Sequence, residues 1–111
     1  MDDTLTIREM LTRQAALQKK YREKWGALTP DVSVRQMLWA YGELAEAADL
    51  LKKQGPDAVN VEPALRRHFM EEIGDAIMYL MDTLLCFDMS PEEFSQIYRE
   101  KCEKNLGRWQ A

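Results

Sequence analysis

The placement of proline does most to decide what this chain can fold into. All four prolines fall at three places, with Gly26 before Pro30, Gly55 beside Pro56 and Pro63, and Ser90 before Pro91. Five Gly and four Pro in 111 residues are about two-thirds of average usage. So few breakers, so grouped, leave four uninterrupted segments, each with room for a long helix. The first runs from about Thr4 to Lys24, with Leu5, Met10 (or Ile7), Leu11, Ala15, Leu17 and Tyr21 as a loose helical stripe. A second begins near Ser33, where Ser33-Val34-Arg35-Gln36 has the form of a capping box, and continues through Leu51 and Lys53 to a stop at Gly55-Pro56. The third starts between Asn60 and Pro63, with proline in the first turn, and reaches about Phe87. Ser90-Pro91-Glu92-Glu93 opens the fourth, combining an N-cap serine, a proline at the first position and an acid at the third, and that helix lasts to about Leu106. No strand-like alternation, internal repeat or low-complexity tract competes. The expectation is an all-α chain, one domain over residues 1–111.

Charge and composition narrow the function. Nineteen acids against fifteen Lys and Arg give a net charge of −4, the wrong sign for binding a nucleic-acid polymer by phosphate neutralisation. The longest apolar run is Ala76 to Met81, far too short to cross a membrane. Met1-Asp2-Asp3-Thr4 carries acids where a secretory signal needs basic residues. Cys86 and Cys102 are read as reduced thiols, and the protein as cytoplasmic.

The two central helices are apolar over most of their circumference. On the second, Arg35, Gly42, Asp49 and Lys53 form a narrow polar strip, while Val34, Met37, Leu38, Tyr41, Leu44, Ala48 and Leu51 cover most of the rest. The third shows Leu65, Phe69, Ile73, Ile77, Leu80 and Leu84 on one side, and Met70, Gly74, Met78, Met81 and Leu85 on another. A bundle of this length cannot bury both helices all round, so self-association is expected, with a dimer as the default.

Against that background four acids stand out. Glu43 and Glu46 lie at i and i+3 beside Trp39, Ala47 and Leu50; Glu72 and Asp75 repeat the device on the next long helix, with His68, Tyr79 and Cys86 along the same line. A single glutamate on a helix is ordinarily just solvated. Four carboxylates brought to about 6 Å would repel by about 3 kcal/mol per pair at an effective dielectric near 20, and a divalent cation would offset that. All-oxygen donors select hard ions, Mg²⁺ first and Mn²⁺ second. A bundle di-iron site is excluded because the only histidine, His68, has Leu65 three residues before it. Zinc chemistry lacks clustered Cys and His, and neither a Gly-rich phosphate loop nor Gly-x-Ser-x-Gly is present. Carboxylate-held Mg²⁺ most often serves phosphate esters. For such a substrate, Lys101, Asn105 and Arg108 share one face of the last helix, although a basic helix end that merely complements the dipole fits that spacing equally well. Trp25 and Trp39 are candidates to stack a base, against the more common role of core aromatics. Tyr79, one turn beyond Asp75, is better placed, and His68 is read as a surface or supporting residue.

Glu43-Leu-Ala-Glu46, a gap of 24 residues, then Glu71-Glu72-Ile-Gly-Asp75 resembles the Glu-x-x-Glu…Glu-x-x-Asp signature of the MazG-like, all-α nucleoside triphosphate pyrophosphohydrolases. Also similar are a first helix ending Lys24-Trp25, Leu38-Trp39 before the first acidic motif, the Ser-Pro-Glu-Glu cap, and a Lys-x-x-x-Asn-x-x-Arg ending, so that the likeness extends from about Leu11 to Trp109. The resemblance implies an antiparallel four-helix bundle assembled as a dimer or dimer of dimers. It further implies a Mg²⁺-dependent enzyme that splits (deoxy)nucleoside triphosphates into monophosphate and pyrophosphate, with house-cleaning of the nucleotide pool as a candidate duty. Glu43, Glu46, Glu72 and Asp75 would be the catalytic, metal-holding residues; Tyr79, Lys101, Asn105 and Arg108 match nucleotide-binding positions, and Trp25 falls near the base pocket. Gly42 departs from the pattern, since many relatives carry a further acid there, and Glu71 occupies a position that varies. Two alternatives stay open: a non-catalytic helical dimer acting as an adaptor or regulatory module, and a related pyrophosphohydrolase for another substrate such as phosphoribosyl-ATP.

Overall fold

The computed structural model describes residues 2–108. Trp109, the far limit of the resemblance, lies outside them. Among the described residues six helices follow in order: α1 (Ile7–Lys20), α2 (Arg22–Trp25), α3 (Ser33–Gln54), α4 (Pro56–Val61), α5 (Pro63–Leu85) and α6 (Pro91–Arg108), with a 3₁₀ turn at Pro30–Val32 before α3. No strand occurs among the described residues. The all-α expectation holds.

The ends of the elements follow from local chemistry, and four features differ from the sequence reading. Thr6 caps α1 through a reciprocal box with Glu9, so that helix begins at Ile7 rather than Thr4. The expected single first helix is broken at Tyr21, whose backbone leaves the helical range (φ −107°, ψ 17°). The chain re-enters a helix for one turn, which sets Trp25 against Tyr21 with ring centroids 4.6 Å apart. Gly26, at φ 83°, ends that turn.

The expected capping box at Ser33 does not form. Ser33 is already helical because the 3₁₀ turn runs straight into α3, and its hydroxyl donates to the Pro30 carbonyl at 2.7 Å. Gln36 is committed elsewhere, to a buried partner on α5. Gly55 (φ 88°) stops α3 as expected, but Pro56 immediately opens the short helix α4, whose Val59 is buried. Proline fits there because the first helical residue needs no N–H partner. Ser90 caps α6 as expected, its hydroxyl accepting from the Glu93 amide at 3.0 Å.

The centre of the molecule is the antiparallel pair α3 and α5, with α1 laid against α5. Ala40, Ala47 and Ala76 are each 2% exposed; their small side chains let the two long helices approach closely. Leu11, Met81 and Cys86 complete the buried apolar set around them. Among the helices, α6 runs beside α1 alone, joined to it by an ion pair between Arg8 and Glu92. The chain therefore does not supply all four sides of a bundle from its own helices. Leu38 and Tyr41 on α3 and Met70 on α5 remain more than half exposed. The radius of gyration is 16.5 Å, against about 13 Å for a compact domain of this length. Among the described residues, no helix is long and apolar enough to cross a membrane. Asp49 and Lys53, on the polar strip of α3, pair at 2.9 Å.

Candidate functional site

The register between α3 and α5 builds the site. Gln36 faces Asp82 (2.9 Å), and Trp39 meets Tyr79 edge to face with centroids 5.6 Å apart. One turn further along, Glu43 and Asp75 repel one another, and beyond them the Glu46 and Glu72 carboxylates come within 4.8 Å. Antiparallel helices keep such a ladder in step because each advances one turn per rung. Two i, i+3 pairs that are local on each helix thus become one acidic end.

Three of the four expected acids converge. Glu43, Glu46 and Glu72 each offer an oxygen, and these oxygens lie within 4.8 Å of one another. The Glu72 side chain is 16% exposed; its Oε1 faces His68 Nε2 at 3.2 Å. Its Oε2 is buried with no hydrogen-bond partner. Burial, a hydrogen bond with Glu72 and the charges of Glu46 and Asp75 push the Glu43 carboxyl up to about 7. Hydrogen bonds from Glu46, then Glu43 and His68, hold Glu72 below the usual carboxylate range. An unpaired buried oxygen within an all-oxygen donor set is what a hard divalent cation would satisfy, so the residues present fit such an ion. Asp75 is exposed and stands outside the triad, beside Glu43. At Gly42 an added Cβ would meet nothing within 4 Å, so space does not require glycine there.

A cavity of about 630 Å³ opens from this acidic end and is bordered by α1, α2, α3 and α5. Glu43 and Asp75 line one end, and Trp25, Trp39 and Tyr79 give it aromatic surface. All three expected aromatics are therefore brought together. Burial first, then the neighbouring carboxylates, raise the Tyr79 hydroxyl above its ordinary value. Lys24 and Arg35 add cationic lining, and the Arg35 guanidinium stacks over the Trp39 ring at 4.9 Å. Sequence reasoning had left Arg35 on a solvent strip.

The closed end of the cavity was missed from the sequence. Asp82, 2% exposed, accepts from Gln14 Nε2 at 2.8 Å and from Gln36 Nε2 at 2.9 Å. Burial raises the Asp82 carboxyl above its usual range despite these amides. Arg35 Nε donates to Gln36 Oε1 at 3.0 Å, which fixes that amide's orientation. The available signal was periodic: Asp82 follows Asp75, and Gln36 precedes Glu43, by seven residues, two turns on the same face.

Other expected residues lie apart. Lys101, Asn105 and Arg108 are on α6 and do not line the cavity. Lys101 and Arg108 are exposed, whereas the Asn105 side-chain carbonyl is buried without a hydrogen-bond partner. His68 is at the surface, one of the two places expected for it, with its Nε2 beside Glu72. Cys86 and Cys102 are free thiols, the first buried and the second exposed. Compared with known protein families, curated proteins and solved structures, the chain matches none.

Proposed function

We propose that the chain is a Mg²⁺-dependent pyrophosphohydrolase of (deoxy)nucleoside triphosphates, of the MazG-like kind its motifs resemble, with Mn²⁺ as a substitute ion and the cytoplasm as its place of action. The observation that carries the reading is the carboxylate triad of Glu43, Glu46 and Glu72, with its unpaired Glu72 oxygen, joined through Glu43 to an aromatic-lined cavity. Those three residues would hold the ion, with Asp75 as the fourth carboxylate. The ion, when bound, supplies charge neutralisation for the departing pyrophosphate and activation of the attacking water.

The chain's own groups do the rest. Glu43, the one member of the triad that also lines the cavity, is placed to accept a proton from the attacking water. Glu46, the most exposed of the triad, orients that water. Trp39 and Tyr79, halfway along the cavity wall, hold the nucleoside between the acids and the closed end. Lys24 and Arg35 face the anionic substrate with positive charge.

The same proposal includes a dimer or dimer of dimers. Its support is the exposed apolar surface at Leu38, Tyr41 and Met70, together with a radius of gyration of 16.5 Å. In such an assembly the Lys101, Asn105 and Arg108 face would serve the phosphates across a subunit boundary. The test is product analysis on a panel of (d)NTPs with Mg²⁺ or with EDTA. Monophosphate and pyrophosphate in equal amounts, formed only with metal, is the expected result. Diphosphate and free phosphate, or no turnover by folded protein, would overturn it.

A further inference from the structure

The closed end of the cavity takes no part in the chemistry proposed above, yet it is built with care. A carboxylate offers about four lone-pair positions. Gln14 and Gln36 each take one, on opposite oxygens of Asp82, and Gln18 lines the cavity beside them. About two acceptor positions are left on Asp82, which lines the cavity. Each glutamine amide has two N–H donors, and Gln14 and Gln36 also line the cavity. Arg35, bonded to Gln36 Oε1, prevents that amide from flipping its carbonyl toward Asp82. Asp82, Gln14 and Gln36 thus place an acceptor beside two donors in the wall of the closed end, almost wholly shut off from solvent. Along α5 it lies two turns, about 10 Å, from Asp75, with Trp39 and Tyr79 between as flat surfaces for a ring. That separation suits a nucleoside whose base points to Asp82 and whose phosphates reach the acids.

Resting on the reading of the site as a nucleotide pyrophosphohydrolase, we infer that Asp82, Gln14 and Gln36 form a base-recognition subsite for a nucleobase that presents an exocyclic amino group beside a ring nitrogen acceptor, as cytosine and adenine do. The amino group donates to Asp82, and the ring nitrogen accepts from a glutamine amide. Uracil and thymine carry the opposite pattern: a carbonyl oxygen would face the Asp82 carboxyl, and a ring N–H would face a donor. A buried site made to bond a substrate N–H rejects the analogue without it strongly, because its own polar groups are then left unpaired.

The experiment separates this subsite from the reaction. Tryptophan fluorescence of the wild-type protein is titrated in EDTA with dCMP, dAMP, dUMP and dTMP, Trp25 and Trp39 being the reporters in the cavity. The expected result is that dCMP or dAMP binds at least about tenfold more tightly than dUMP and dTMP. Asp82→Asn, checked for folding by circular dichroism, should bring the two groups closer together, since the amide can donate to a carbonyl. If that variant fails to fold, the wild-type ratio alone decides. Equal affinity for dCMP, dAMP and dUMP, or no binding by a protein that hydrolyses (d)NTPs, overturns the subsite and leaves the reaction standing. Selective binding without any pyrophosphate release supports the subsite and sinks the proposed reaction. Absence of both removes both.

Discussion

Replacing Glu43 by Gln should make the metal-free protein more stable. The oxygens of Glu43, Glu46 and Glu72 lie within 4.8 Å of one another, and two unit charges at that separation repel by about 3.5 kcal/mol at an effective dielectric of about 20. Glu43, at about 7, already carries only part of its charge near neutral pH, and the exposed Glu46 is screened by solvent. The gain that remains is about 1–2 kcal/mol. In a domain of this size that raises Tm by about 5–10 °C. Glutamine keeps the length of the side chain and can still donate to Glu72. The assay is thermal unfolding followed by circular dichroism in EDTA at pH 8 and at pH 5.5. A clear rise for Glu43→Gln at pH 8 that disappears at pH 5.5, where wild-type Glu43 is protonated, is the expected pattern. A variant equal to or less stable than wild type at pH 8 would refute the reasoning, because the acids would then not be held together against their repulsion.

The wild-type metal-free protein should itself gain stability between pH 8 and about pH 5. Glu43 binds its proton more tightly when folded (about 7) than at its ordinary 4.5, so the folded state is favoured as protons are added. Glu72, whose shift is downward, reverses the trend only as pH falls below its ordinary value, and a chemical-unfolding series across pH reads both limbs. Asp82→Ala should lower the unfolding free energy in urea by about 2–4 kcal/mol, because it leaves the buried Gln14 and Gln36 amides without their acceptor. Glu46→Gln and Asp75→Asn should each abolish pyrophosphate release while the circular dichroism spectrum stays that of wild type; near-normal turnover by either would exclude that residue from the chemistry.

The acidic end was legible in the sequence because its signal is local. Glu43 with Glu46, and Glu72 with Asp75, are spaced to share a helix face whatever the tertiary arrangement. Converting two such pairs into one cluster needed only that the two long helices be neighbours, and their wide apolar surfaces pointed to that. The closed end of the cavity was not legible, because it depends on register. Gln36 reads locally as the last residue of a capping box, and nothing near it reveals that Asp82, 46 residues away, is its partner. Asp82 itself sits at the edge of the longest apolar run, where a single acid reads as the end of a buried stretch. Gly55-Pro56 was read as one stop, although the same proline that ends one helix is well suited to begin the next, as it does in α4. The course of α6 was beyond local reasoning as well. Ser90 and Pro91 fix where that helix starts, while its direction depends on the Leu85–Ser90 connection, where Asp88 takes a positive φ of 52°.

The central claim is that Glu43, Glu46 and Glu72 form a divalent-cation site, and binding of Mn²⁺ measured by electron paramagnetic resonance tests it most directly. Free Mn²⁺ gives a sharp signal that fades on binding, so a titration gives stoichiometry and affinity without any substrate. Wild-type protein should remove the signal saturably, Mg²⁺ should compete it back, and Glu72→Gln should weaken binding at least about tenfold with the fold intact. A wild-type protein that leaves the Mn²⁺ signal unchanged, or a Glu72→Gln variant that binds as tightly as wild type, would contradict the account.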